Sequence, residues 1–317
     1  MPILRLFITL IVCSFLPLQA QEQVKITVPA TSIQQGGEIP KSPLLIGSWN
    51  IAWFPRGSPT KEVSPEQIGE NIQNTAEFIK KLDPTILFAC EISNIESLKA
   101  MKLADYPYIA CSEIPRTEEE NSAYPLQSVS FLSKIPWKEV WVLDFSELAK
   151  TADRPSRGII GAEFDIPKVG KLTIYGGHFK SNRGGIEASR IRRQRAVTYL
   201  AEDLKRRGLD PKKDQILIVG DLNTSNLSPE FSSDLTLKMI KELGFVSSAQ
   251  GLPLEKAGSF KADKRYQAND LDHIMVSEGL KAKITTPLPW MEMVAVPGTL
   301  SDHNPILLPL GKLLGTP

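Results

Sequence analysis

Ile216-Leu217-Ile218-Val219-Gly220-Asp221-Leu222-Asn223 is an apolar run that ends in a carboxylate and an amide. A run this short, bounded by a glycine, reads as a buried strand. Its polar end is the informative part, because a charge at the tip of a buried strand is costly unless something pairs with it. Similar strand-like runs occupy 44–52, 85–91, 108–112, 128–133, 140–145, 159–166, 171–179, 215–221, 271–277 and 305–310. Ten of them are too many for one doubly wound sheet. Helical patterns interrupt them in few places. Ser64-Pro65-Glu66-Gln67 carries an N-cap, a proline at the first position and a glutamine three residues on, which is the signature of a helix start. Ile68, Ile72, Ala76 and Ile79 continue it at helical spacing. Further helices are expected over 94–104, 186–207 and 233–243. Runs 128–133 and 140–145, and runs 159–166 and 171–179, are joined by short links and read as antiparallel hairpins. The sum is an α/β protein of two mixed sheets packed face to face with helices outside.

The 317 residues are 42% hydrophobic and 23% charged, near globular averages, so disorder, collagen-like repeats and coiled coil are excluded. Lys and Arg number 37 against 36 Asp and Glu. No global field therefore draws the chain to a polyanion, and any such binding must come from a local patch. Arg5 followed by the apolar run Leu6 to Leu16 reads as a secretory signal peptide over 1–20, cut before Gln21. The run stops at Pro17, short of the roughly 20 apolar residues a membrane span needs. No stable membrane insertion is expected elsewhere, and the mature protein is expected to be secreted or periplasmic. Residues 21–43 are polar and irregular and read as a flexible arm. One domain is expected over 44–311, and 312–317 form a tail. Cys90 and Cys111 survive removal of the leader, in a compartment that permits a disulfide. Their apolar settings suit buried free thiols equally well.

Polar residues at strand ends set the chemistry. His178 closes Leu172-Thr173-Ile174-Tyr175-Gly176-Gly177-His178, Glu91 closes Ile86-Leu87-Phe88-Ala89-Cys90-Glu91, and Asn50 lies in Gly47-Ser48-Trp49-Asn50-Ile51. Asp272 lies in Asp270-Leu271-Asp272-His273-Ile274, and Asp302 and His303 in Ser301-Asp302-His303-Asn304-Pro305. Each has an ordinary explanation alone: a turn former, a solvated strand end, a hydrogen-bonded core histidine. Together they require convergence, since buried charges must meet a metal or one another. Phosphodiester hydrolysis needs such a set: a hard cation on oxygen ligands, an activated water, and donors for the charge growing on phosphate. Three histidines without close spacing make zinc a poor fit, whereas Mg²⁺ takes one or two carboxylates plus waters and phosphate.

The order Trp-Asn, Glu, His, Gly-Asp-Leu-Asn, Asp-His, Ser-Asp-His resembles the endonuclease/exonuclease/phosphatase family of DNase I-like and exonuclease III-like phosphoesterases, over about 44–310. The resemblance implies a four-layered α/β/β/α sandwich with the site at one end of the sheets. It implies that Glu91 is the principal metal ligand for Mg²⁺ or Mn²⁺, with Asn50 beside it as ligand or phosphate-orienting amide and Asp302 near a second cation or bound water. It casts Asp221 as the group that positions or deprotonates water, Asn223 as an amide on the phosphate, and His303, held by Asp272, as the imidazole facing the phosphate. His178 would stand across the phosphate, and Arg157 matches an arginine common before this strand. A carboxylate behind an imidazole has a physical purpose: it fixes the tautomer and raises the pKa, so the ring can donate to developing negative charge. Ala52 and Cys90 depart from the abasic-site repair pattern, and Gln127 stands where DNase I-like members place a glutamate to partner the first histidine. His273 should point away from Asp272.

Lys180 to Lys213 holds eleven Lys or Arg against four Asp or Glu, which is the local basic patch. Arg190 and Arg193 share the inner helix face with Val197, Leu200 and Leu204. With Lys180 they are expected near the site, on substrate phosphate or site carboxylates; the outer cations read as a solvated face. Trp49, Trp53 and Phe54 are candidates for stacking on bases, Trp49 equally for the core. The leading expectation is an exported Mg²⁺-dependent phosphodiesterase acting on DNA, without an oligomer signal and so a monomer. Phospholipid or sphingomyelin hydrolysis is the alternative, with Pro289 to Val294 as a lipid-contacting loop or core. A non-catalytic binding or toxin-like subunit is the third.

Overall fold

The computed structural model describes residues 44–59, 61–113, 127–146, 148, 151–262, 267–298 and 300–315, with backbone alone at 25–27 and 33–34. Its strands run in chain order as β1 (Lys25–Thr27), β2 (Ile33–Gln34), β3 (Ile46–Phe54), β4 (Ile86–Ile92), β5 (Tyr108–Cys111), β6 (Ser128–Ser133) and β7 (Glu139–Asp144). They continue as β8 (Ile159–Ile166), β9 (Gly170–His178), β10 (Ile216–Asp221), β11 (Phe245–Ser247), β12 (Asp272–Ser277), β13 (Glu292–Met293) and β14 (Ile306–Leu308). The longer helices are α1 (Pro65–Leu82), α2 (Ile95–Ala100), α3 (Ile186–Arg206) and α4 (Thr236–Glu242). One sheet has the order β1-β7-β8-β9-β10-β12-β11 and the other β13-β14-β3-β4-β6-β5-β2.

The alternation of each strand sorts its residues between two layers. Ile46, Phe88 and Phe131 of one sheet pack against Ile160, Ile174 and Val219 of the other in the central layer. Trp49, Leu87 and Ala89 face outward under α1 and α2, and Tyr175, Ile216 and Ile218 face outward under α3 and α4. The architecture is the expected α/β/β/α sandwich. α1 begins as its sequence requires: the Ser64 side chain accepts from the Gln67 N–H, and the Gln67 side chain accepts from the Ser64 N–H. No helix among the described residues is long and apolar enough to cross a membrane.

All ten expected strands form, but one expected hairpin does not. β8 and β9 pair antiparallel, whereas β6 pairs with β4 and β5 in one sheet and β7 with β1 and β8 in the other. The link between β6 and β7 crosses the sandwich, and buried Ile135 and Trp137 pack into the central layer on the way. The 21–43 stretch, expected to be irregular, contributes β1 and β2 as edge strands beside β7 and β5. The 1–20 leader lies outside the described residues. Cys90 and Cys111 are free and buried. Cys90 faces the central layer and Cys111 the layer under α1 and α2, so the sheet itself separates them.

Glycines let the sheets close at the site end. A Cβ on Gly176 would stand 2.2 Å from the Phe88 ring, and one on Gly220 would stand 2.0 Å from the Gly177 carbonyl oxygen. Gly220 also has φ of +133°, a region in which side chains are strained. Gly220→Ala should destabilise the fold by about 2–4 kcal/mol, read as a lowered urea midpoint at unchanged slope.

Candidate active site

Three neighbouring strand ends of one sheet supply half of the site by register alone. Asp221 pairs with His178 across β9 and β10 and with Asp272 across β10 and β12. Directly paired residues point to one face, and here that face is the gap between the sheets. Asn50 reaches the gap from β3 in step with Ile46 and Ser48. Glu91 does not follow from alternation: two steps along β4, from Cys90 to Ile92, oppose one step along β6, from Val129 to Ser128. Glu91 is the extra residue of a bulge and has φ of 62°. The bulge turns a side chain due to lie under α1 and α2 into the gap instead. Ala52, Trp53 and Asn223 also have positive φ, so backbone strain gathers around this end of the molecule.

The polar groups meet. Asn50 Nδ2 donates to Glu91 Oε1 at 3.2 Å and to Asp221 Oδ2 at 3.0 Å. His178 Nε2 lies 3.5 Å from Asp221 Oδ2 and 3.8 Å from Glu91 Oε1. His303 Nδ1 donates to Asp272 Oδ2 at 2.6 Å, and its Nε2 lies 3.8 Å from Asp221 Oδ2. The His303 loop is fastened to β3: the Trp49 indole donates to the His303 carbonyl, Ser301 Oγ donates to the Asn50 carbonyl, and the His303 N–H donates to Ser301 Oγ. Asn223 donates its backbone N–H to Asp221 Oδ1 at 3.0 Å and its side-chain amide to the Phe179 carbonyl at 3.1 Å. Arg157 donates to the same carbonyl and to Gln127 Oε1. Glu91, Arg157, His178, Asp221, Asn223 and His303 line a cleft of about 190 Å³, with Trp53, Arg183, Phe231, Phe260 and Asp302 in its walls and Asn50 and Asp272 behind them.

Burial sets the charges. It pushes the Asp221 carboxyl up to about 7, against the pull of His303 and with the help of Asp272. Burial disfavours a charged His303, but Asp272 and Asp221 outweigh it and raise the imidazole to about 10. Glu91 is raised first by burial and then by the like charge of Asp302. NMR titration of the metal-free protein should find the His303 ring protonated through pH 8, and Asp272→Asn should bring its midpoint below about 8. An unchanged midpoint would remove Asp272 from that role.

Two donor sets can hold a divalent cation. Asp221, Asp272 and His303 each offer a ligand atom within 4.8 Å of the others, but a cation on either His303 nitrogen must displace a proton that Asp272 and Asp221 help to hold. Glu91, with the Asp302 carboxylate raising its proton affinity, offers hard oxygen and a repulsion that a cation relieves. That set suits Mg²⁺ or Mn²⁺ better. Asn50 bridges Glu91 and Asp221. Its Oδ1 accepts the Ala52 N–H at 3.0 Å, which leaves the NH₂ facing the two carboxylates.

The basic helix is the main correction. Lys180 Nζ turns onto the Ser181 and Arg183 carbonyls. Arg190 bonds Glu187 and the Ser233 carbonyl. Arg193 is 1% exposed and pairs with Asp234. None of the three lines the cleft, because each finds a partner nearer its own backbone. The outer cations are likewise engaged at the surface, as with Arg207 on Glu139. Trp49 and Phe54 are core, whereas Trp53 lines the cleft. His273 points away from the site and bonds the Thr224 carbonyl. Phe260 and Asn269 went unnoticed in the sequence, where the only signal was their nearness to Asp272.

The sequence profile of the Endonuclease/Exonuclease/phosphatase family matches residues 47–303. No curated protein matches the chain. Solved structures share the fold. An endonuclease/exonuclease/phosphatase from Beutenbergia cavernae DSM 12333 is 13% identical, with TM-score 0.59, over 84% of this chain and 70% of that one. D. rerio TDP2 complexed with single strand DNA product is 14% identical, with TM-score 0.57, over 84% and 98%. An AP endonuclease from Archaeoglobus fulgidus is 17% identical, with TM-score 0.56, over 83% and 98%. With its motifs in order and its strand ends gathered into one centre, the chain belongs to the endonuclease/exonuclease/phosphatase family of divalent-metal-dependent hydrolytic phosphoesterases.

Proposed function

We propose that the protein is an exported, Mg²⁺-dependent phosphodiesterase that cleaves DNA. The observation that carries this reading is the joining of Glu91, Asp221 and the Asp272–His303 pair through Asn50 and His178 in one cleft. Glu91 would hold the cation, which when bound supplies positive charge to the phosphate oxygens. Asp221 takes the proton of the attacking water; a carboxyl raised toward neutrality is suited to that task. His303 presents a protonated Nε2 to a phosphate oxygen, with Asp272 holding the ring's orientation and charge through Nδ1. His178 faces the same space from β9. Asn223 acts through Asp221, whose Oδ1 it fixes. Arg157 supplies positive charge to the wall, and Trp53 supplies a π-face of the kind on which bases stack.

DNA is favoured over lipid by the fate of the 289–294 segment. Trp290 and Met291 are 5% and 6% exposed, and both belong to the core between the sheets. The indole and the first methionine of that segment are therefore spent on the core, and only Pro289 and Glu292 are left exposed. Plasmid DNA, single-stranded DNA and sphingomyelin vesicles, each with Mg²⁺ and with EDTA, separate the readings. DNA cleavage abolished by EDTA and by Asp221→Ala or His303→Ala is expected. Faster vesicle hydrolysis would reverse the substrate assignment, and inertness on every ester would leave a binding subunit. Export predicts that the protein recovered outside the cytoplasm begins at Gln21; recovery inside with Met1 retained would refute it.

A further inference from the structure

The segment that leaves the site after His178 is stitched into one shape. Lys180 Nζ donates to the carbonyls of Ser181 at 3.1 Å and Arg183 at 2.5 Å. Arg193 Nη1, from inside α3, donates to the Lys180 carbonyl at 2.6 Å and to Asn182 Oδ1 at 3.0 Å. The rest of that guanidinium grips Asp234 Oδ2, with Nε at 2.8 Å and Nη2 at 2.7 Å. Asp234 in turn accepts from the Thr236 N–H and hydroxyl at the start of α4. Asn182 Nδ2 completes the circuit by donating to Glu230 at 2.8 Å. One buried cation thus ties together two walls of the cleft, 181–183 and 230–231.

What this framework presents is Arg183. Its side chain is exposed in the cleft wall, and no carboxylate among the described residues pairs with it. The chain turns away directly after it through Gly184 and Gly185, at φ of 92° and 123°. A guanidinium carried by a backbone held in place near a phosphodiester site, with its charge unspent, is matched to a second phosphate. Resting on the nuclease reading, we propose that Arg183 binds a phosphate flanking the scissile one, and that Arg193 is the positioning residue that holds it there.

Steady-state kinetics on a single-stranded oligonucleotide, against bis(4-nitrophenyl) phosphate as a substrate without flanking phosphates, test both parts. Arg183→Gln should raise the oligonucleotide KM about tenfold and flatten the logarithmic salt dependence of binding by about 0.7. Arg193→Lys, which keeps the charge but loses the fork, should show the same KM rise with kcat within about twofold. The double variant should be no worse than either single one, because both act through one contact. Should Arg193→Lys not fold, Asn182→Ala removes the tie to Glu230 and one of the two Arg193 bonds to this segment without touching the Arg193–Asp234 pair, and should raise KM in the same direction by a smaller factor. An oligonucleotide KM and salt slope unchanged by Arg183→Gln overturn the inference alone. Additive losses, or an equal loss by Arg193→Lys on bis(4-nitrophenyl) phosphate, overturn the positioning role. A wild-type protein that hydrolyses the small ester and leaves the oligonucleotide intact removes the nuclease reading and this inference with it.

Discussion

Asp221→Asn should lower kcat/KM on DNA by about 10²–10⁴-fold, the usual contribution of a general base, while leaving the thermal unfolding curve close to that of the wild type. The asparagine keeps the shape and can still accept from the Asn223 N–H, which bonds Oδ1 at 3.0 Å, at the loss of the Asn50 bond to Oδ2. What it loses is the ability to take a proton. The wild-type carboxyl is 2% exposed and is raised to about 7 by burial, so the substitution also removes a charge the interior disfavours. Stability held or gained together with activity lost separates a chemical role from a structural one. Loss of the fold, or retention of most of the rate, would contradict the assignment.

Glu91→Gln carries the second large effect, read in two directions. Divalent-cation affinity by calorimetry should fall at least about 100-fold, since a neutral amide replaces an anionic oxygen ligand. The metal-free protein should at the same time unfold at a higher temperature. The carboxylate is held against its preference by burial and by Asp302, and the amide relieves both. The Trp53 N–H donates to Glu91 Oε2 at 3.0 Å, a bond the glutamine oxygen can keep, and only the longer Asn50 bond to Oε1, at 3.2 Å, is given up. A metal-free variant less stable than the wild type would mean that Glu91 is tied into structural pairing instead.

Much of this was legible in the chain because the strands obey period two and the chemistry sits at their ends. His178, Asp221 and Asp272 could be placed together once their runs were seen as strands, since each is the terminal or first polar residue of an apolar run. Glu91 was legible as a residue type but not as a direction: alternation along β4 assigns it to the wrong face, and only the bulge opposite Val129 and Ser128 turns it inward. The link between β6 and β7 looks like a hairpin turn in sequence. What distinguishes it is that Ile135 and Trp137 are buried between the sheets, a tertiary fact. The basic run after His178 misled for a similar reason. Residue type gives Arg193 its charge but not its partner, and Asp234 lies 41 residues further on. β1 and β2 went unread because strands of three and two residues are too short to show an alternating pattern.

The central claim is that strand ends of two facing sheets build one cation-and-phosphate centre. A crystal soaked in Mn²⁺ and inorganic phosphate, with an anomalous difference map collected at the manganese edge, tests it most directly. The account predicts a peak at ligand distance, about 2–2.5 Å, from the Glu91 carboxylate, with a phosphate oxygen within hydrogen-bond reach of His303 Nε2. A strong peak elsewhere with none at Glu91, or phosphate bound away from His303, would contradict it.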